Sequence, residues 1–506
     1  MLSVLILLPL VGAIAVAFLP RHLSKLLGLA VSAATLVLAV VAAFRFDVGG
    51  GMQLEEEQPW IEAFGVHYAL GLDGLGLLMV LLTVVLVPLV LAAEWTKADD
   101  AAGGGARAFV AWTLALEGLS LAVFCATDVF LFYVVFEATL IPAYFLVGGF
   151  GREGRGAAAV KFLMFQLAGG LVLLASVIGL YVVSAESGEP SYLLSDLMAL
   201  DIDTTAGRWL FAGFLFAFAV KAPLFPLHTW LADTTEKATP GTSVLLVCVL
   251  DKIGTFGMLR FCLGIFPEAS EWATPLVVTL ALISIVYGAF VAIGQDDVLR
   301  LIGLTSLSHF GFITLGIFVM TPQGGSGAVL YMVNHGLGTA VLFLVAGYLL
   351  QRRGTTLISE MGGIEKVTPV LAGLFLVAGL ATLGLPGLSP FVSEFLVLAS
   401  AFDYAWYVGA IAVTGIVLAA IYVLWLYQRT MTGPTPPEVE ATPDLGWREI
   451  GAVAPLVLAL VVFGFYPAPL LDAANPMVDE LLAHVGVEDD GPTVPAEEAV
   501  PAEEGH

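Results

Sequence analysis

The sequence predicts an all-α polytopic membrane protein with about fourteen transmembrane helices, two inverted five-helix repeats and two proline-broken helices. The composition is 59% hydrophobic and 12% charged, with a mean hydropathy of +0.96, which excludes an ordinary soluble globule. Apolar runs of at least 18 residues, enough to cross a bilayer, recur along the whole chain. Two of these runs are interrupted by pairs of prolines, which predicts helices that break inside the membrane.

The predicted spans follow one another with short connections. They lie near residues 2–19, 23–45, 70–94, 107–126, 128–149, 158–184, 208–231, 241–265, 274–294, 298–320, 327–351, 368–400, 406–430 and 448–467. The first run has no basic residues before it, so we interpret it as an uncleaved span and not as a signal peptide. Most basic residues follow odd-numbered spans, which predicts that those loops are cytoplasmic and that both termini lie outside.

The net charge of −24 comes largely from segments between or beyond the spans, including Glu55–Glu57, residues 186–203 and the carboxyl-terminal residues. Such acidity could collect cations at a pore mouth, or it could keep the surface soluble in concentrated salt, as in halophilic proteins. We favour the second interpretation. An acidic chain of this kind is not expected to bind nucleic acid.

The sequence carries no recognisable cofactor or metal motif. Cys125, Cys248 and Cys262 all fall in apolar runs, and three scattered thiols cannot hold an iron–sulfur cluster, which needs four ligands. GxGxxG, Walker and HExxH patterns are missing from the sequence. We therefore expect no cofactor or metal in this chain.

The domain organisation is predicted from the two interrupted runs. Pro223 and Pro226 break the seventh predicted span, and Pro386 and Pro390 break the twelfth. Each of these spans is the fourth helix of a five-helix unit. Because five helices carry the chain to the opposite side of the membrane, the second unit has the inverted orientation. The predicted divisions are residues 1–100 for helices one to three, 101–266 for repeat one, 267–431 for repeat two, 432–470 for helix fourteen and 471–506 for a disordered acidic tail. Matching broken helices in inverted repeats are typical of transport sites near the bilayer midplane.

Six titratable residues lie inside the predicted spans, roughly one to a helix. They are Glu137, Lys221, Lys252, His309, His335 and Glu394. A charged side chain at bilayer depth costs roughly 2.5–3.5 kcal/mol, so these positions indicate function. Such a row could conduct protons along the membrane plane. The lysines and glutamates could instead form static ion pairs, and the histidines could be ordinary hydrogen-bonded core residues.

Lys221 and Glu137 suggest how such a row could be driven. Burial disfavours a charged lysine, whereas a nearby carboxylate favours it. A lysine that alternates between positions near to and far from Glu137 would therefore take up and release a proton.

Four further residues are secondary candidates. Glu117 could be another carboxylate partner or could form a structural hydrogen bond. Asp251 adjoins Lys252, but neighbouring residues do not share a helix face. His228 could brace the helix break, and Lys161 could extend its ammonium to the membrane interface.

The motifs that contain these residues resemble the antiporter-like, proton-translocating membrane subunits of respiratory complex I, and among them the subunit M type. The resemblance spans about residues 70–427. It is carried by LEGLSLAVFCATDVFLFYVVFEATLIPAYFLVGGFG, FAVKAPLFPLHTWL, KIGTFGMLRF, GLTSLSHFGFITLGIF, NHGLGTAVLFL and GLPGLSPFVSEFLVL.

This resemblance implies roles for the six residues. Glu137 and Lys221 would be the coupling pair, Lys252 the central lysine, His309 and His335 the continuing polar axis, and Glu394 the exit residue. Glu394 separates the subunit M type from the L and N types and from multisubunit sodium/proton antiporter subunits, which usually carry lysine there. The chain departs from the usual family pattern at Asp251, where leucine is common, and at Thr234 and Thr235.

The predicted function is that of a proton-translocating subunit of a complex I-type quinone oxidoreductase in the plasma membrane. The resemblance places quinone, flavin and iron–sulfur clusters in partner subunits, and it implies L-type, N-type and small membrane subunits as neighbours. The alternatives are a subunit of a multisubunit cation/proton antiporter and a non-conducting membrane scaffold.

Overall fold

The computed structural model describes residues 1–96 and 105–487. Two strands, β1 (Gln53–Ile61) and β2 (Val66–Leu72), form an antiparallel hairpin among helices. The helices up to the middle of the chain are α1 (Leu2–Ala17), α2 (Arg21–Arg45), α3 (Gly74–Ala93), α4 (Gly105–Cys125), α5 (Val129–Phe150), α6 (Arg155–Ser187), α7 (Leu194–Met198), α8 (Thr204–Lys221), α9 (Thr229–Lys237) and α10 (Pro240–Leu263). The later helices are α11 (Pro267–Ile293), α12 (Val298–Phe318), α13 (Pro322–Arg353), α14 (Pro369–Thr382), α15 (Ser389–Tyr404), α16 (Trp406–Met431), α17 (Pro437–Glu440), α18 (Trp447–Phe465) and α19 (Ala468–Val485).

The predicted helical membrane architecture is confirmed. Within the described residues, 11 helices are long and apolar enough to cross a membrane, and α1 and α14 are shorter apolar helices of 16 and 14 residues. Every predicted span has a helix at its place, and the count of fourteen spans stays a prediction.

The seventh and twelfth predicted spans are both broken. Helix α8 stops at Lys221 and α9 starts at Thr229, while α14 stops at Thr382 and α15 starts at Ser389. Pro390 lies in the first turn of α15 and not in the break itself. Proline is tolerated there because the first turn of a helix does not use its backbone N–H groups.

The third predicted span began too early. Its first residues belong to β2, and α3 begins at Gly74. Asp73 is the N-cap of this helix and accepts a hydrogen bond from Gly76 N–H at 2.8 Å, which fixes where the helix begins. The apolar residues before Asp73 are paired instead with β1, and the sequence alone did not indicate that pairing.

The carboxyl-terminal tail, predicted from residue 471, contains helix α19 up to Val485. Its buried residues include Leu470, Ala474, Val478 and Leu481, whose spacing places them on one face of the helix. The face packs against α3 and α13, so tertiary contacts stabilise a segment too polar to be a span. The predicted tail beyond residue 487 lies outside the described residues.

The core of the bundle consists of α10, α12 and α13. In each of these helices the apolar window is 100% buried, whereas in α2 it is 33% buried and in α18 28%. The peripheral helices thus present apolar side chains outward, and the central helices are enclosed by protein. Polar groups on the central helices are thereby kept away from lipid, as functional intramembrane charges usually are.

Candidate functional site

The first helix break ends at a buried lysine. Lys221 is fully buried and is the last residue of α8. Pro223 and Pro226 cannot continue the helix because they lack an N–H group. The Val220 carbonyl accepts a hydrogen bond from the Trp230 indole N–H at 3.1 Å. A side chain of α9 therefore satisfies this carbonyl, which would otherwise need a water molecule.

The Lys221 ammonium faces α5. It donates to Thr139 Oγ1 at 3.4 Å and lies 4.5 Å from the centroid of the Phe136 ring. Glu137 is also on α5, two residues before Thr139, but it forms no ion pair with Lys221 within 4.0 Å among the described residues. The two predicted partners therefore lie on neighbouring helices without direct contact.

The Glu137 carboxylate lies against α6. One of its oxygens, Oε1, is buried and has no hydrogen-bond partner among the described residues. A Cβ atom on Gly170 would come within 1.7 Å of that oxygen. A larger residue at position 170 would displace the end of the Glu137 side chain, so α6 provides the space in which this carboxylate sits.

Lys252 lies in the middle of α10, between two π-helical turns at Leu245–Leu250 and Met258–Leu263. Its ammonium is 2.6 Å from His335 Nδ1 and 4.3 Å from the centroid of the Phe310 ring. π-Helical turns are rare and occur often at functional sites. The central lysine is therefore held between an imidazole and an aromatic face, both from the second predicted repeat.

A series of neighbouring polar side chains leads away from Lys252, with polar contacts at its two ends and ring contacts between them. The His335 and His309 rings are 5.1 Å apart and nearly perpendicular, and the His309 and Tyr331 rings are 5.9 Å apart. The Tyr331 hydroxyl donates to Glu394 Oε1 at 2.8 Å. We call Lys252, His335, His309, Tyr331 and Glu394 the central polar row. Each of its members is at most 5% exposed.

Glu394 lies in the second turn of α15, directly after the second helix break. A Cβ atom on Gly384 would come within 1.8 Å of Glu394 Oε2, and Gly384 has a φ of +72°. Glycine is required there both for its left-handed backbone and for its small size. The second break therefore shapes the space around this carboxylate, as Gly170 does around Glu137.

Two tyrosines of the site were not predicted. Tyr331 belongs to the central polar row, and the Tyr422 hydroxyl is 3.4 Å from His309 Nε2. Tyr331 precedes His335 by four residues, so the two share a helix face, and this spacing could have indicated it. Tyr422 comes from α16, and nothing in its local sequence indicates contact with a distant histidine.

The secondary candidates lie in different surroundings. Glu117 is 1% exposed, and both its oxygens lack a partner among the described residues. The His228 ring lies 5.9 Å from the Phe225 ring and 5.3 Å from the Tyr287 ring, so it packs at the first break. Asp251 is buried next to Lys252.

Lys161 pairs with Asp233 at 2.6 Å, and its side chain is 38% exposed; its extension to the membrane interface stays a prediction. Asp233 also accepts a 2.6 Å bond from Arg300 of α12. This ion-pair cluster joins the two predicted repeats at one end of the bundle.

The described residues contain no group of three or more histidine, cysteine, aspartate or glutamate side chains placed to hold a metal ion.

Comparisons with known proteins agree with the motifs. The family described as NADH:quinone oxidoreductase/Mrp antiporter, TM, matches residues 126–419. NADH-quinone oxidoreductase subunit M of Mycobacterium tuberculosis is 50% identical, over 97% of this chain and 96% of that protein. A chain of respiratory complex I from Thermus thermophilus has a TM-score of 0.88 and 34% identity, covering 96% of this chain and 100% of that one. A chain of the Mrp complex from Dietzia sp. has a TM-score of 0.84 at 21% identity, covering 96% and 99%, and shows likeness of fold alone.

Proposed function

The chain belongs to the NADH:quinone oxidoreductase/Mrp antiporter transmembrane family, and from this premise we propose that it is the proton-translocating subunit M of a complex I-type quinone oxidoreductase. Electron transfer in partner subunits, which carry the flavin, iron–sulfur and quinone sites, would release the energy. This chain would be a non-redox part of the translocase. Its neighbours would be L-type, N-type and small membrane subunits in the plasma membrane, with both termini outside.

The central polar row is the observation that carries this proposal. Its side chains come from α10, α12, α13 and α15 and lie near one another inside the bundle, with contacts of 2.6 Å and 2.8 Å at the two ends of the row. Amines, imidazoles, phenols and carboxyls can all exchange protons, which supports the proposal. Most buried polar side chains hydrogen-bond to backbone or water and not to other side chains. Structural polar groups would therefore be expected to have separate backbone partners. A continuous row across four helices is suited to moving protons.

The row can transfer a proton by ordinary acid–base steps. The Lys252 ammonium gives a proton to His335 Nδ1, which leaves a neutral amine and an imidazolium. His335 then releases a proton toward His309. Tyr331 can pass its hydroxyl proton to Glu394 and accept one from the histidine side, because a phenol both donates and accepts. Glu394 would release the proton beyond the second helix break.

Glu137 and Lys221 would couple this transfer to the rest of the complex. Because they interact without a direct ion pair, a small movement of α5 or α8 changes the field on the ammonium substantially. The break after Lys221 provides backbone that can absorb such a movement. A shift that brings Glu137 closer would hold the proton on Lys221, and a shift that separates them would release it.

A cation/proton antiporter subunit is the second candidate, because the description of the matching family also names Mrp antiporters. The carboxylate at Glu394 favours the subunit M assignment, because the resemblance leads us to expect lysine there in antiporter and L-type or N-type subunits. A scaffold without an ion path would gain nothing from the buried ammonium groups, each of which is costly to enclose.

The test uses sealed membrane vesicles that contain the intact complex. We expect proton uptake driven by quinone reduction, and we expect Lys221→Ala to reduce it by about 10²-fold, the usual contribution of a positioned proton-transfer group. Cys262→Ala, a buried change on α10 away from the central polar row, is the control and should leave uptake unchanged. Cation-driven proton exchange without an electron donor would favour the antiporter assignment. Normal uptake in Lys221→Ala would contradict both transport functions.

A further inference from the structure

Asp251 is a buried carboxylate that the central polar row does not include. It is 1% exposed, and neither of its oxygens has a hydrogen-bond partner among the described residues. Enclosing an isolated carboxylate is strongly unfavourable, so such a group must be protonated or compensated by nearby positive charge. An unpartnered buried group of this kind requires an explanation.

The backbone at Asp251 has an unusual geometry. Its N–H donates to the Leu246 carbonyl five residues earlier, at 2.8 Å, and this bond closes the π-helical turn Leu245–Leu250. Regular α-helix resumes at Lys252. The wider turn shifts side-chain directions from those of a regular helix, and such turns often position functional residues.

The segment that carries Asp251 packs directly on the first helix break. A Cβ atom on Gly254, three residues later, would come within 2.4 Å of Ala222 N and 2.6 Å of the Phe218 carbonyl oxygen. Ala222 immediately follows Lys221 in the chain. Close backbone contact therefore fixes this part of α10 against the end of α8.

Asp251 consequently lies near the positions of both buried lysines. It adjoins Lys252 in the chain, and its helix contacts Ala222, the residue after Lys221. The two ammonium groups themselves are directed elsewhere, toward Thr139 on α5 and His335 on α13. Asp251 is thus the carboxylate between the first break and the central polar row.

We propose that Asp251 is the proton acceptor that connects Lys221 to Lys252. This inference rests on the proposed proton-translocating function. In the first step an N–H bond of the Lys221 ammonium breaks and an O–H bond forms on the carboxylate, which leaves a neutral amine and a neutral acid. In the second step that O–H bond breaks and the proton binds neutral Lys252, which restores the carboxylate and produces an ammonium. No electrons are exchanged, and one proton moves from one lysine to the other.

The test compares Asp251→Asn, which keeps the shape but cannot accept a proton, with Asp251→Glu, which keeps the carboxylate. In vesicles of the intact complex, proton uptake is measured with quinone as acceptor. Donor oxidation by a soluble artificial acceptor measures the amount of assembled complex and normalises the rates. We expect Asp251→Asn to lower the normalised uptake roughly tenfold and Asp251→Glu to restore it to within about twofold.

Cys262→Ala on the same helix is the control, and Lys221→Ala is measured alongside. Uptake that stays normal in Asp251→Asn but is lost in Lys221→Ala overturns the role of Asp251 and leaves the proposed function intact. Normal uptake in both variants means that the proposed function itself fails. If Asp251 is the acceptor, the carboxylate of Asp251→Glu should restore uptake. A loss in both Asp251→Asn and Asp251→Glu therefore overturns the acceptor role and indicates a structural requirement.

Discussion

Replacing Tyr331 by phenylalanine tests whether the central polar row is continuous. The substitution removes only the hydroxyl that donates to Glu394 Oε1 at 2.8 Å. The ring, which lies 6.2 Å from the Phe312 ring in a parallel arrangement, is retained. The packing of α12 against α13 should therefore survive, and the variant isolates one proton-transfer contact.

The magnitude follows from the chemistry of that contact. A hydrogen bond to a charged group contributes about 1.5–3 kcal/mol, and each 1.4 kcal/mol corresponds to about a tenfold change in rate or equilibrium. Tyr331 is 1% exposed, so solvent cannot easily replace the lost hydroxyl. We expect quinone-driven proton uptake to fall by about 10- to 100-fold in Tyr331→Phe.

The assay is proton uptake by sealed vesicles, normalised to donor oxidation by a soluble artificial acceptor. Tyr348→Phe is the matched control. It removes a buried hydroxyl from the same helix, and that hydroxyl donates to the Glu449 carbonyl at 3.5 Å, away from the central polar row. That variant should retain its uptake to within about twofold. If Tyr331→Phe takes up protons as fast as the unmodified complex, protons do not pass through Tyr331 and the reasoning is refuted.

Two further substitutions test the surroundings of the site. Gly170→Ala would place a Cβ atom 1.7 Å from the present position of Glu137 Oε1. The flexible carboxylate would have to move aside, so we expect a loss of proton uptake with little loss of thermal stability. Gly156→Ala on the same helix meets no atom within 4 Å and should behave as the unmodified protein; equal behaviour of the two would contradict the pocket. Asp233→Asn weakens the ion-pair cluster at the end of the bundle, but its side chain is 33% exposed, so we expect less than about 1 kcal/mol of lost thermal stability. A loss of several kcal/mol in a thermal inactivation assay would show that the cluster holds the two predicted repeats together.

The helices could be predicted from the sequence because bilayer thickness fixes the length of an apolar run. Both helix breaks were found for the same local reason, since proline cannot continue the backbone hydrogen-bond pattern. The hairpin and α19 were missed. Strand pairing between β1 and β2 and the packing of α19 against α3 and α13 are long-range contacts, which local apolar content does not reveal.

The six titratable candidates could likewise be chosen from the sequence, because a charge at membrane depth is costly enough to indicate a role. Their partners could not. His335 lies 83 positions after Lys252, and the Tyr331 to Glu394 contact joins residues 63 positions apart. The sequence predicted a Lys221 that alternates between positions near to and far from Glu137, and in the structure its ammonium donates to Thr139.

The sequence by itself determined that this is a helical membrane protein, where its helices break, and which ionisable residues are enclosed in it. These properties follow from local rules of hydropathy, length and backbone chemistry. Only the tertiary structure decided that Lys252, His335, His309, Tyr331 and Glu394 form one row and that the helix carrying Asp251 packs against the first helix break. Such neighbours come from helices far apart in the chain, and their distances are set by how glycine-lined helix surfaces pack together, which no local pattern encodes.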